Sequence, residues 1–355
     1  MRKMAIIGYG GMANWHYERI AKRIPDLKVT GAYDIRDEAL NKIKDLGMHC
    51  YKDPEELYAD PCIDLVLIAT PNDVHKMYSI HCMEAGKNVI CEKPAALNAT
   101  DLEEVIRVSE KTGMLYTVHQ SRRWDSDFLT MKRILTEGLL SDPFFIESRV
   151  QVPTQITTGW RGYKKNGGGV VLDWAVHLVD QLMFWFPEKV VSVYANLHQI
   201  NAPEVEDNFT ATIRFESGLT TIVNMSKNSY IIQPRWHMCC RDGTAIVENW
   251  DYEGNTEGKI VKVKQDICQM EFGEDIVYSE SGPTRLKTSW PNYTTQELEL
   301  PKVIGEWANL YQNILETLNG NAELIVKPNE CLRVMKVIDA IFESGKTCAS
   351  VKCEI

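Results

Sequence analysis

The run MAIIGYGGMA at residues 4–13 constrains this chain more than any other stretch. Apolar residues lead directly into a glycine-rich loop in which Gly8, Gly10 and Ala13 match the spacing G-x-G-x-x-G/A, and a helical pattern follows over 14–24. The first glycine permits a tight turn, the second lets backbone approach a pyrophosphate, and the small third residue lets helix and strand pack closely. Such a loop needs a doubly wound sheet around it. The apolar runs VTGAYD, DLVLIATP, KNVICEKP and LYTVHQ supply one, alternating with helical stretches over 36–46, 75–85 and 99–112. That alternation predicts parallel strands with both faces covered.

After His119 the rhythm changes. RRWDSDFLTMKRILTEG reads as one amphipathic helix, FFIESRVQV as a strand, and a helix beginning at Gly167 precedes VVSVYANL, NFTATIRF, LTTIVNMS, RWHMCCR, TAIVEN and GKIVKVKQ. ESG at 216–218 and RDG at 241–243 read as hairpin turns. The expected fold is α/β: an N-terminal doubly wound parallel sheet over 1–120, then an α+β domain over 121–303 with an open-faced, largely antiparallel sheet. Residues 270–301 read as loops with short strands, and 304–355 as C-terminal helices packing back on the chain.

Composition excludes several function classes. With 355 residues and a net charge of −10, the chain lacks the concentrated basic surface that nucleic acid or anionic membrane requires. No apolar run approaches the roughly 18 residues of a membrane span, and the run after MRK is too short for a signal peptide. The ten cysteines form no CxxC pair, so they read as reduced thiols in a cytoplasmic protein. An open sheet with one face uncovered predicts a homo-oligomer.

The chemistry concentrates at strand ends. Asp34 ends the second strand about 20 residues after the glycine loop, where a carboxylate binds adenosine ribose hydroxyls and repels a 2′-phosphate. That favours NAD over NADP, with Arg36 as the group that would serve NADP. With Gly8, Gly10, Gly11, Met12, Ala13, Asp34 and Arg36, the expected cofactor site includes Thr70, Pro71, Asn72 and His75 of ATPNDVH, and Glu92 and Lys93 of CEKP. Lys93 is either a donor to a substrate hydroxyl or a surface lysine in a turn.

GGGVVLDWAVHLVDQ, from Gly167 to Gln181, carries Asp173, His177 and Asp180 on an otherwise apolar helix. Spacings of four and three put them on one stripe. The stripe faces substrate, metal or structure; a metal would need a fourth ligand from elsewhere, and hydride transfer to a nicotinamide requires none. Arg122, Arg123, Trp124, Trp160, Arg161 and Tyr163 lie near enough to reach a domain crevice, Arg binding hydroxyls and Trp stacking on a sugar's apolar face.

In their order, the GYGGMA loop with Asp34, ATPNDVH, EKP at 92–94 and the GGG-x-x-x-D-x-x-x-H-x-x-D helix resemble the Gfo/Idh/MocA family of NAD(P)-dependent sugar and polyol oxidoreductases. The resemblance spans essentially the whole chain. It implies a Rossmann domain, with Lys93, Asp173 and His177 in a substrate pocket facing the nicotinamide. His177 is then the base for a ring hydroxyl oxidised to a ketone, and Asp173 orients a neighbouring hydroxyl and steadies the imidazolium. The family's D-x-G-x-H has Ala175 in place of its glycine. The implied substrate is a sugar, inositol or glycoside. Alternatives are glycoside 3-oxidation or redox-assisted glycoside cleavage with retained NAD, and, more distantly, a non-catalytic NAD-binding regulator.

Overall fold

The computed structural model describes residues 1–153, 157–264 and 295–355. Six parallel strands form the first sheet: β1 (Arg2–Ile7), β2 (Leu27–Tyr33), β3 (His49–Cys50), β4 (Leu65–Ile68), β5 (Asn88–Cys91) and β6 (Tyr116–Val118). Their order is β3-β2-β1-β4-β5-β6. Every residue of β4 is buried, as expected of a strand covered on both faces. The covering helices include α1 (Gly11–Arg23), α2 (Asp37–Asp45), α3 (Pro54–Ala59), α4 (His75–Glu84) and α5 (Ala99–Thr112). Strand order reverses between β1 and β4, which opens a crevice at their carboxyl ends.

The short β3 and α3 were not anticipated from the sequence. Pro54 opens α3, and the Asp53 carboxylate accepts the Glu56 amide at 2.8 Å. This is an ordinary N-cap with proline in the first turn.

Among the described residues the second sheet has nine strands, ordered β14-β13-β12-β11-β7-β10-β9-β8-β15. These are β7 (Pro143–Gln151), β8 (Val190–His198), β9 (Asn208–Phe215), β10 (Thr220–Ser226), β11 (Trp236–Cys240), β12 (Gly243–Val247), β13 (Gly258–Val263), β14 (Thr295–Leu298) and β15 (Val351–Lys352). Among the described residues only β7 and β10 pair in parallel in this sheet; the other neighbours are antiparallel, and hairpins close at 216–218 and 241–243. Residues 270–294, part of the stretch read as loops with short strands, lie outside the described residues, as does Cys268.

Burial alternates along β10, with Thr221, Val223 and Met225 inside. The inner face packs on α7 (Val176–Trp185) and α9 (Pro328–Thr347), and α9 also contacts α5 of the first sheet. A further helix, α8 (Ala308–Leu318), touches the first sheet's side: the Tyr311 hydroxyl lies 2.6 Å from His16 Nδ1 on α1. The last residues do more than form helices, because β15 extends the second sheet along β8.

The single helix expected over 122–138 is instead a 3₁₀ turn, Ser121–Trp124, followed by α6 (Ser126–Thr136). Asp125 between them is extended (φ −66°, ψ 137°). Its carboxylate is taken by Arg122 at 3.1 Å and by the Trp250 indole N–H at 3.0 Å. The local pair with Arg122 and the tertiary bond from Trp250 outweigh the helical pattern, and Arg122 lines the crevice.

Candidate active site

The carboxyl ends of β1, β2 and β4 surround a groove of about 800 Å³. Gly8 sits at φ +87°, and a Cβ there would lie 2.8–2.9 Å from Thr70 and the Ala69 carbonyl, so this strand end accepts only glycine. Gly10, Gly11, Met12, Asp34, Arg36, Thr70, Pro71 and Asn72 all line the groove, and Glu92 and Lys93 close its inner end. A groove with bare backbone on one wall and a carboxylate on another fits a dinucleotide. Ala13 is fully buried beneath the loop, where its small side chain lets α1 pack on the sheet.

Asp34 is already engaged. It accepts the Tyr9 amide at 2.7 Å and the Arg36 guanidinium through both oxygens at 3.0 Å. Burial pushes its pKa up, but Arg36 and the amide donors outweigh burial and hold it below the usual carboxylate value.

A second cavity of about 830 Å³ adjoins the groove and shares Met12, Glu92, Lys93, Arg161 and Asp173 with it. At this junction the Lys93 ammonium donates to Asp173 Oδ1 at 2.6 Å and to the Asp173 carbonyl at 2.8 Å. Arg161 Nε lies 3.7 Å from the same Oδ1. Burial raises the Asp173 pKa, yet Lys93 and Arg161 together bring it below the ordinary value.

His177 lines the second cavity and is nearly buried. Its Nδ1 lies 3.1 Å from Gln120 Oε1, and the Gln120 amide nitrogen donates to the Val176 carbonyl at 3.4 Å. Gln120 therefore presents an acceptor, His177 Nδ1 carries the proton, and Nε2 keeps its lone pair. An unperturbed imidazole has a near-neutral pKa. Burial first, then the Lys93 and Arg122 cations, push that of His177 well below the usual histidine value instead.

The helix bearing these groups starts with a π turn, Val171–Ala175, before α7. Gly169 (φ +102°) precedes it, and a side chain there would collide with Glu206, whose carboxylate accepts the Val171 amide at 2.9 Å. Such turns re-aim side chains at functional sites. Here Asp173 and Trp174 both line the second cavity.

Comparison with known proteins identifies the family. The model of the oxidoreductase family with NAD-binding Rossmann fold, GFO_IDH_MocA, matches residues 2–120, and that of the GFO/IDH/MocA C-terminal domain matches 128–246. This chain belongs to the Gfo/Idh/MocA oxidoreductase family. An NAD-binding protein from Listeria innocua is 36% identical, with a TM-score of 0.87 over 99% of this chain and 96% of that one. The scyllo-inositol 2-dehydrogenase (NADP(+)) of Bacillus subtilis is 26% identical over 99% of this chain and 96% of its own. A myo-inositol 2-dehydrogenase of Thermotoga maritima is 29% identical over 64% of this chain and 69% of its own.

Within this Gfo/Idh/MocA fold, several residues singled out from the sequence stand elsewhere. Asp180 leaves the stripe: it receives a bidentate pair from Arg123, at 2.8 and 2.7 Å. Arg123 also donates to the Ile325 carbonyl and to Glu330 and is 2% exposed, so it ties α7 to α9 and does not line the crevice. Asp173, His177 and Asp180 are accordingly not a shared ligand set. Trp124 packs against the core, Tyr163 is 43% exposed outside both cavities, Trp160 lines the dinucleotide groove, and Arg122 lines the second cavity.

His75 lines neither cavity. It is fully buried, with Nδ1 2.8 Å from the Pro94 carbonyl and Nε2 3.1 Å from the Thr70 carbonyl. Carbonyls only accept, so both ring nitrogens carry protons. Burial favours the neutral ring, but the neighbouring Cys91 sulfur and the two carbonyls raise the pKa to about 9. This imidazolium joins the loops after β4 and β5.

Sequence reasoning also missed a buried network. Glu92 Oε1 is 2.7 Å from His16 Nε2 and 3.1 Å from His119 Nδ1. Among the described residues these three form the one set whose ligand atoms could together hold a metal ion, and the same atoms face one another as hydrogen-bond partners. His16 has its pKa lowered to about 4, by burial and then by His119. In the sequence His16 stands three residues past Ala13 and His119 at the end of an apolar run, with nothing local to connect either to Glu92.

Proposed function

We propose that this chain is an NAD-dependent dehydrogenase that reversibly oxidises a secondary ring hydroxyl of a sugar, inositol or glycoside to a ketone. The observation that carries the reading is the junction of the two cavities, where the Lys93–Asp173 pair lines both and His177 lines the second beside it. The dinucleotide, when bound, supplies the hydride acceptor. Lys93 donates to the reacting hydroxyl oxygen and offsets the negative charge that develops on it; Asp173 holds the ammonium in place. His177 takes the hydroxyl proton at Nε2, and Gln120 keeps the ring in the tautomer that allows this.

Asp34 motivates NAD over NADP, since a 2′-phosphate would meet a carboxylate that is 6% exposed. The test follows nicotinamide absorbance with NAD and with NADP across inositols, pyranoses and methyl glycosides. Reduction of NAD with the higher kcat/KM is expected. An NADP preference would point to Arg36 as a phosphate ligand, and inertness toward every ring polyol would sink the dehydrogenase reading.

We also propose that the chain works as a homo-oligomer built on the open face of its second sheet. Supporting this, Tyr230, Ile231 and Ile232 form a consecutive apolar run beyond β10 that is 74%, 83% and 58% exposed. Light scattering at micromolar concentration should return a multiple of 40.5 kDa; the mass of one chain would refute it.

A further inference from the structure

The second cavity is larger than the chemistry at its floor requires. From Lys93 and His177 it continues to α1, to the loop after β12 and to the arm before α8, enclosing about 830 Å³. That lies near the top of the roughly 300–1,000 Å³ range of small-molecule sites, whereas a free inositol or hexose has only about a dozen non-hydrogen atoms. Aromatic side chains line the surplus. Trp174 and Trp250 meet edge to face at 5.2 Å, Trp15 and Trp307 lie 5.2 Å apart, and Tyr252 stands at the mouth, 58% exposed. All four indoles are only partly buried and line this cavity.

Polar groups among them are held in position. Arg122 lies 4.0 Å from the Trp250 ring centre and 5.0 Å from that of Trp174, anchored by Asp125. Arg19 lies 4.1 Å from the Trp15 ring centre, and Arg23 pairs with Glu306 at 2.7 Å, closing α1 onto the arm that carries Trp307. Alternating indole faces and fixed guanidinium and carboxylate groups match the two surfaces of a pyranose, apolar C–H bonds on its faces and hydroxyls around its rim.

We propose that this outer part of the cavity is a subsite for a second pyranose, so that the physiological substrate is a disaccharide or larger glycoside. The inference rests on the proposed dehydrogenase reading for the ring at the floor. A lone monosaccharide would leave the outer indoles against water. A purely aromatic aglycone would cover Arg19 while offering it no acceptor, and burying a polar group without a partner is costly.

The experiment compares kcat/KM for cellobiose, maltose and lactose with that for methyl glycosides of the same ring, for p-nitrophenyl glycosides and for inositols. A disaccharide should exceed its methyl glycoside by about tenfold or more, the ratio expected of one well-packed aromatic contact. Trp307→Ala and, separately, Tyr252→Ala should bring that ratio toward one; the exposed position of Tyr252 makes its variant the safer one to fold. A wild-type ratio near one, a ratio that survives both substitutions, or a preference for the aryl glycosides would overturn the subsite. Calorimetry of the same sugars separates the two ideas. If nothing is oxidised but a disaccharide binds and Trp307→Ala weakens it about tenfold, the subsite stands and the dehydrogenase reading falls. If no disaccharide binds, the subsite falls.

Discussion

Replacing His177 with alanine is expected to lower turnover by about two to four orders of magnitude, the usual size of a general-base contribution, with dinucleotide affinity nearly unchanged. His177 lines the substrate cavity and not the dinucleotide groove, which is why binding should survive. Lys93→Met should also lower turnover, and it should weaken dinucleotide binding, because Lys93 lines both cavities and holds Asp173. The pH profile gives an independent readout. His177 acts as a base only when neutral, and burial with the Lys93 and Arg122 cations lowers its pKa well below 6.5. The acid limb of kcat/KM should therefore fall well under pH 6.5 in the wild type. Removing the Lys93 charge should move that limb upward. Near-normal turnover of His177→Ala beside an inactive Lys93→Met would make the lysine the proton carrier, and activity in both variants would show the pair to be structural.

The second large effect concerns stability. Asp180→Ala should cost about 3–5 kcal/mol, the range for removing one partner of a buried ion pair, because Arg123 is then left charged and enclosed. Arg123 keeps the Ile325 carbonyl and Glu330, which places the loss toward the lower end. Replacing both residues together by Met and Leu should cost less than the single change, since an apolar pair leaves no bare charge. Urea unfolding measures all three. A loss below about 1 kcal/mol for Asp180→Ala would mean that water or a neighbour already compensates the guanidinium.

Much of the candidate site was legible because its signals are local. Gly8, Gly10 and Asp34 announce a strand end and the groove beside it at fixed short spacings. Asp173 and His177 sit four apart on one helix, and both line the second cavity. Asp180 shows where that logic stops: helical spacing places residues on a stripe, but it does not say what faces each part of the stripe. Here Arg123, from the turn after the first sheet, claims Asp180 and removes it from the chemistry. The same holds for 122–138, where helical periodicity was real and the partners of Asp125 still broke the helix.

By itself the sequence determined the parallel sheet, the glycine loop, the order of the motifs and the lysine, aspartate and histidine that line the second cavity. These depend on backbone conformation and on residues close along the chain, where steric and periodic rules act directly. Tertiary structure alone decided the charge states and the reach of the pocket. The low pKa of His177 arises from burial and then from cations at positions 93 and 122, the doubly protonated His75 from carbonyls at 70 and 94, and the aromatic wall from tryptophans at 15, 174, 250 and 307. Burial and Coulomb interaction depend on distance through space, and the fold brings together groups that no spacing along the chain connects.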